Sequence, residues 1–353
     1  MLLLYMYFVA AYGERKLINI QIVGRHGDRT PLKSFPNDPY KNVWKQEGGL
    51  GVLSENGKTR MLNSGQTLKT YYSKILKKSV TIHNSDVSSS NENRTIESAR
   101  LFISGMFNIQ KPEDIKVNIV DPDALEALKG NCPKFDRVTE AIERIPYFEK
   151  KFLVFRKLEE NIRSITGNLN DKDETLASLF LFADYIFVVN EFQLPFPQYV
   201  TPDVYTKLKE MQQIFLEVST FTKTQKKLLS GYILHSIKDS FQRSVDDTNS
   251  RKEVNLSLYM THDFVLHALV KAIGIPLKDY PSYGDILIFE LSTDIDTNQW
   301  YVGVKYKLGY SEMITDLRLC GRQFQCTLSQ FLKKVSGKSI NLKQFKEMCR
   351  GMY

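Results

Sequence analysis

Leu17 to Val23 reads LINIQIV, a short apolar run rich in β-branched side chains, closed by Gly24 and followed at once by charged residues. Such a run is how a strand in the middle of a parallel sheet reads, buried on both faces. After the cap residue Ser54, Met61, Gly65, Leu68, Tyr72 and Ile75 recur at helical spacing, which predicts an amphipathic helix packed on that sheet. Ser79 to Asn84 is a second strand candidate, and a helix is predicted from about Thr95 to Phe107. Strand, helix, strand, helix predicts an α/β fold with a mostly parallel central sheet flanked by helices.

From Asp136 to about Val245 the character changes to long helical patterns rich in Lys, Glu, Phe and Tyr, broken by Pro195, Pro197 and Pro202. Sheet signals resume at Val254 to Met260, where apolar residues alternate, and a helix is predicted from near Phe264 to Gly274. Ile286 to Leu291 and Trp300 to Leu308 read as strands, with the polar Ser292 to Asn298 as their hairpin. The expected plan is one α/β domain built from residues 14–135 and 246–353, interrupted by a helical cap at 136–245. A chain of 353 residues has room for it.

Hydrophobic residues at 42% and charged residues at 25% exclude a disordered or fibrous chain. A formal charge of +8 attracts anions of many kinds. The basic residues are nevertheless spread along the chain, without a dense tract or an RNP-like motif, so no nucleic-acid partner is expected. Residues 1–13, MLLLYMYFVAAYG, are too short to span a bilayer but long enough for the core of a secretion signal, although no basic segment leads them. The alternative is an N-terminal hydrophobic strand. No later segment reaches the roughly 20 apolar residues of a transmembrane helix, so no stable membrane insertion is expected.

Cys132, Cys320, Cys326 and Cys349 are even in number and lack the paired C-x-x-C spacing of zinc sites. That favours two disulfides over four free thiols, and with the apolar N-terminus a secreted or lysosomal setting. Of the two glycosylation sequons, Asn255-Leu-Ser257 falls in a predicted buried strand, which argues against its use.

Arg25-His26-Gly27-Asp28-Arg29-Thr30-Pro31 stands directly after the first strand, with two guanidinium groups around one imidazole and a glycine that lets backbone approach a ligand. Guanidinium forks match phosphate oxygens, and their positive charge keeps a neighbouring imidazole neutral and nucleophilic. Met260-Thr-His262-Asp263 likewise ends a strand. Strand ends of an open α/β sheet meet at one edge, so His262 can add a phosphate contact there and Asp263 can protonate a leaving oxygen. A carboxylic acid donor must be protonated, so activity is expected in acid and should fade toward neutrality. His83, His235 and His267 read as surface or packing residues.

The seven-residue motif with its distant His-Asp resembles the histidine acid phosphatase family, the branch of the histidine phosphatase superfamily that includes lysosomal, prostatic and insect venom acid phosphatases. The resemblance extends to Phe35-Pro-Asn-Asp-Pro39, Gly49-Leu-Gly-Val-Leu-Ser-Glu-Asn-Gly57, Arg94-Thr-x-x-Ser98-Ala99, Asn131-Cys-Pro133, and Pro281-Ser-Tyr-Gly-Asp285 with Glu290-Leu291. It implies a phosphoglycerate mutase-like sheet with a helical insertion, acting on small-molecule phosphate monoesters. His26 would become the phosphohistidine, Asp263 would be the proton donor, and Arg25, Arg29, Arg94 and His262 would hold the phosphate. It further implies disulfides Cys132–Cys349 and Cys320–Cys326, no metal and no cofactor; family members are often dimers, so a homodimer is one option, and the sequence leaves the oligomeric state open. A glycan on the sequon Asn93-Arg94-Thr95 would block that pocket.

The chain departs from the family in places. Where the family has a compact Ser-Thr-Asp-x-x-Arg-Thr, it reads Ser88-Ser-Ser-Asn-Glu-Asn-Arg94-Thr95 after Ser85-Asp-Val87, as though a few residues were inserted. Gly284-Asp285-Ile286 replaces a usual Ala-Ser-Cys, and Arg60-Met61 a usual Gln-His. Two rival readings are weaker. Inositol-polyphosphate phosphatases of the superfamily commonly carry His-Ala-Glu where this chain has His262-Asp263-Phe264, and an inactive binding protein would be expected to have lost one of His26, Arg29 or Asp263.

Overall fold

The computed structural model describes residues 15–75, 81–82, 85–120, 127, 131–166, 175–247, 254–276 and 280–351. The N-terminal stretch read as a secretion signal lies outside these residues, as do His83 and residues 79, 80 and 84 of the second strand candidate.

Eight strands form one sheet: β1 (Arg15–Arg25), β2 (Ser85–Ser89), β3 (Asn118–Ile119), β4 (Asn255–Thr261), β5 (Ile286–Asp294), β6 (Trp300–Lys307), β7 (Ile314–Leu317) and β8 (Gln325–Thr327). They lie in the order β3-β2-β4-β1-β5-β6-β7, with β8 also paired to β6. Parallel pairing is confined to β3-β2-β4-β1; from β1 onward the ladders are antiparallel. The sheet is therefore mixed where the sequence pattern suggests mostly parallel, because a short β5–β6 hairpin can only pair antiparallel.

β1 is central, which is why every residue from Ile18 to Arg25 is buried. Its polar Asn19 and Gln21 are hydrogen-bonded within the fold: Asn19 Nδ2 donates to the hydroxyls of Ser240 and Ser244 at 2.9 Å, and Gln21 Nε2 to that of Ser257 on the adjacent β4 at 3.1 Å. The observed β2 begins at Ser85. Its sequence SDVSS offers one core side chain, Val87, and the strand exists through its ladders to β3 and β4.

Helices cover both faces. After the short α1 (Lys41–Gln46), α2 (Glu55–Tyr71) and α3 (Asn93–Phe107) lie on one and share a core with β1 through Met61, Leu68, Phe102, Ile103, Ile20 and Ile22. Gly65 and Gly105 let these two helices touch, since a Cβ on Gly65 would lie 2.0 Å from the Phe102 carbonyl. Five helices follow: α4 (Pro133–Glu143), α5 (Pro146–Thr166), α6 (Thr175–Glu191), α7 (Pro202–Ser219) and α8 (Lys223–Asp246). α5, α6 and α7 build a separate core from Phe148, Phe155, Phe182, Tyr185, Leu208 and Met211, joined by Phe35 and Trp44 from the N-terminal segment. α8 instead packs on the sheet through Leu234, Ile237 and Phe241, beside α9 (Asp263–Ala272), α10 (Leu328–Val335) and α11 (Leu342–Cys349). Disulfides join Cys132 to Cys349 and Cys320 to Cys326.

Candidate active site

β1 and β4 run side by side in parallel register, Arg25 opposite Thr261. The residues after each strand therefore emerge at one edge: the His26 N–H donates to the Thr261 carbonyl at 3.1 Å, and the His26 and His262 rings stand 5.5 Å apart. β2 ends at that edge too. Only Ser90 to Glu92 separate it from α3, so Arg94 sits in the first turn of that helix with its Nε 3.4 Å from His26 Nε2. Ser89-Ser90-Asn91-Glu92-Asn93-Arg94-Thr95 keeps the spacing of the compact Ser-Thr-Asp-x-x-Arg-Thr pattern, so nothing is inserted before Arg94. Arg25, His26, Arg29, His262 and Asp263 are all buried.

His26 Nδ1 lies 2.8 Å from the Gly27 carbonyl, which can only accept. The ring proton is therefore on Nδ1, and Nε2 keeps its lone pair. Burial, then Arg94, His262, Arg25 and Arg29, hold the imidazole well below its ordinary pKa, so it stays neutral in mild acid. His262 caps α9 and its Nε2 meets the Ser90 hydroxyl at 3.1 Å.

The three arginines share one arrangement. Arg25 donates from Nη1 to the Pro281 carbonyl at 2.5 Å and pairs through Nη2 with Asp263 at 2.7 Å. Arg29 clasps Asp184 with both Nη atoms, at 3.1 and 2.7 Å, and Arg94 pairs through Nη1 with Glu92 at 3.0 Å. Each guanidinium is thus tied at its Nη end. Nε of Arg94 faces His26, and the buried Nε–H groups of Arg25 and Arg29 have no partner among the described residues. Buried donors without acceptors are costly, and an anion would satisfy them.

The frame around these groups is rigid. Gly27 and Gly57 touch backbone to backbone: a Cβ on Gly57 would fall 2.2 Å from the Asp28 carbonyl, and one on Gly27 would fall 2.6 Å from that of Gly57. Ser54 caps α2 by accepting from the Gly57 N–H, and its hydroxyl donates to the Asp28 carbonyl at 3.2 Å. Arg60 grips the Asp28 carboxylate at 2.5 and 3.0 Å. Behind the loop, Gly284 N–H donates to the His26 carbonyl, and Asp285 is a staple that accepts from Ser282, Tyr306 and Gly309.

All six residues picked from the sequence for this site meet here. Sequence reasoning missed Asp184, Glu92, Tyr280 and Tyr283. Tyr283 lies against the Arg25 guanidinium, 4.0 Å from ring centre to Cζ, and Tyr280 keeps its proton through burial and donates it to Asp263. Asp184 did leave a signal, as a single carboxylate inside the apolar run LFADYIFVV, where burial demands a partner. Among the described residues no group of three His, Cys, Asp or Glu side chains is placed to hold a metal ion.

An α/β sheet whose strand ends gather a neutral imidazole and three guanidinium groups defines a class of anion-handling proteins. Residues 16–306 match the model of the histidine phosphatase superfamily, branch 2, and the chain belongs to that family. It is 26% identical over 339 residues to prostatic acid phosphatase of Bos taurus, covering 91% of this chain and 85% of that protein. Lysosomal acid phosphatase of Bos taurus is 24% identical over 338 residues, covering 90% and 77%. Among solved structures, the Citrobacter braakii phytase superimposes with a TM-score of 0.65 at 16% identity, over 93% of this chain and 98% of that one. A Hafnia alvei phytase in complex with tartrate gives 0.67 at 15% identity, over 92% and 98%. These structural likenesses establish the shared fold.

Proposed function

We propose that the protein is an acid phosphatase that hydrolyses small-molecule phosphate monoesters through a phosphohistidine on His26, with Asp263 as general acid. The observation that carries this reading is the neutral His26 ring, its Nε2 unprotonated, beside Arg25 and Arg29, whose buried Nε–H donors have no partner among the described residues. Family membership and the acid phosphatase relatives support the same reaction class.

In the proposed reaction the phosphoryl oxygens lie against the Nε sides of Arg25, Arg29 and Arg94 and against His262. His26 Nε2 attacks phosphorus as the P–O bond to the leaving group breaks, and Asp263 passes its proton to the departing oxygen. The Gly27 carbonyl stabilises the developing positive charge of the ring through Nδ1–H. Water then attacks the phosphohistidine with Asp263 taking its proton, which releases orthophosphate and restores both groups. Charge development on phosphorus is met by fixed cations in a buried site, where such stabilisation is strongest.

The relatives named lysosomal and prostatic, together with the two disulfides, support a secreted or lysosomal setting. The decisive experiment is acid-quench trapping of labelled phosphoenzyme from an aryl phosphate below pH 6. Label on His26, and its loss in His26→Ala, is the expected result; turnover by His26→Ala equal to the parent's would sink the proposal.

A further inference from the structure

α6 is apolar through most of its length, yet at its middle it carries Asp184, whose side chain is only 8% exposed. Both carboxylate oxygens are engaged. Oδ1 accepts from Arg29 Nη2 at 2.7 Å, while Oδ2 accepts from Arg29 Nη1 at 3.1 Å and from the Leu32 backbone N–H at 3.0 Å. Two turns further on, Glu191 lies 4.0 Å from Arg60, the residue that grips Asp28. Residues seven apart share a helix face. One acidic edge of α6 therefore runs along the loop from Asp28 to Leu32.

We infer that Asp184 is a positioning residue for the phosphate pocket: by clasping both Nη atoms of Arg29 it turns the remaining Nε–H toward the phosphoryl group. The inference rests on the phosphatase reading. A guanidinium has a planar fork that can meet an anion along its Nη–Nη edge or its Nε–Nη edge. With the first edge committed to Asp184, the second is what the substrate meets. Asp263 and the Pro281 carbonyl do the same for Arg25, and Glu92 holds one Nη of Arg94. The difference is that the clasp on Arg29 comes from α6, so the helical segment helps to assemble the pocket beside the catalytic loop. Once the carboxylate is lost, Arg29 keeps only the bond from Nη1 to the Thr30 carbonyl at 3.1 Å, and the pocket must spend binding energy on ordering it.

The test uses the full chain and its Asp184→Asn, Asp184→Ala and Asp184→Glu variants, assayed with an aryl phosphate and with orthophosphate as competitor. Expected are a rise of at least tenfold in both KM and the orthophosphate inhibition constant for Asp184→Ala, a smaller rise for the isosteric Asp184→Asn, and partial recovery in Asp184→Glu. Phosphoenzyme should still form at saturating substrate. A misfolded fraction lowers apparent kcat and leaves KM alone, so unchanged KM and inhibition constants, whatever happens to kcat, overturn the inference. A parent that neither turns over the ester nor binds orthophosphate would bring down the phosphatase reading itself, a failure distinct from one confined to the variants.

Discussion

Nε of Arg94 stands 3.4 Å from Nε2 of His26, the atom that the Gly27 carbonyl leaves unprotonated. After burial, Arg94 is the largest cause of the depressed His26 pKa, which lies well below 6.5. A depressed value means that the ring stays neutral as pH falls through 6.5 and takes a proton only in stronger acid. The pH profile of kcat/KM for an aryl phosphate should accordingly show no histidine limb near 6.5. In Arg94→Met the nucleophile's limb should move upward toward 6.5 as KM rises. A parent profile that already loses activity below 6.5 would contradict this account.

Gly57 and Gly27 leave no room for a side chain between the start of α2 and the catalytic loop, because the atoms they would strike are backbone. Gly57→Ala must push Asp28, and with it His26 and Arg29, away from α2. Misplacing reacting groups by about 1 Å costs on the order of 100-fold. We expect kcat/KM to fall by about that factor; steady-state assays on the purified variant decide it, and parent-like activity would mean the loop has slack.

His267 lies one turn beyond Asp263 on α9, buried, with both ring nitrogens unpartnered among the described residues. Burial, then Lys271, pushes its pKa down to about 4. The unfolded chain binds a proton near 6.5 and the folded one does not until about 4, so native stability drains away as pH falls between these values. At pH 4.5 the penalty is roughly 2 kcal/mol. The stability advantage of His267→Leu over the parent, measured from urea midpoints, should therefore grow by about that amount between pH 7.5 and pH 4.5. An advantage equal at both pH values would show that His267 titrates normally.

Cys132–Cys349 spans 217 residues and Cys320–Cys326 only 6. Chain entropy makes the long closure worth about 5 kcal/mol and the short one about 2 kcal/mol. Replacing both cysteines of the long pair by serine should lower the denaturation midpoint more than replacing both of the short pair. Equal losses in parallel unfolding curves would show that loop length does not govern stability here.

The parts of the fold legible in the sequence are those with a local cause. β1 announces itself as an uninterrupted apolar run, and α2 by its period and its Ser54 cap, since burial on both faces and capping leave their mark on consecutive residues. β2 left almost none. SDVSS is polar, and only hydrogen bonding to β3 and β4 makes it a strand.

The motif around His26 and the pair His262-Asp263 could be read by chemistry alone, because a nucleophilic imidazole beside guanidinium groups is a local arrangement. Their meeting could not. It depends on β4 entering the sheet between β2 and β1, a choice made by long-range ladders. So does the clasp of Asp184 on Arg29: a carboxylate in an apolar helix signals that a partner must exist, but charge pairing across 155 residues is decided only when α6 is laid against the loop. The sequence by itself determined which reactive groups are present, through residue type and neighbours. The tertiary structure decided which nitrogens of these groups are tied and which are left without a partner among the described residues, because orientation is set by partners that the chain brings together only on folding.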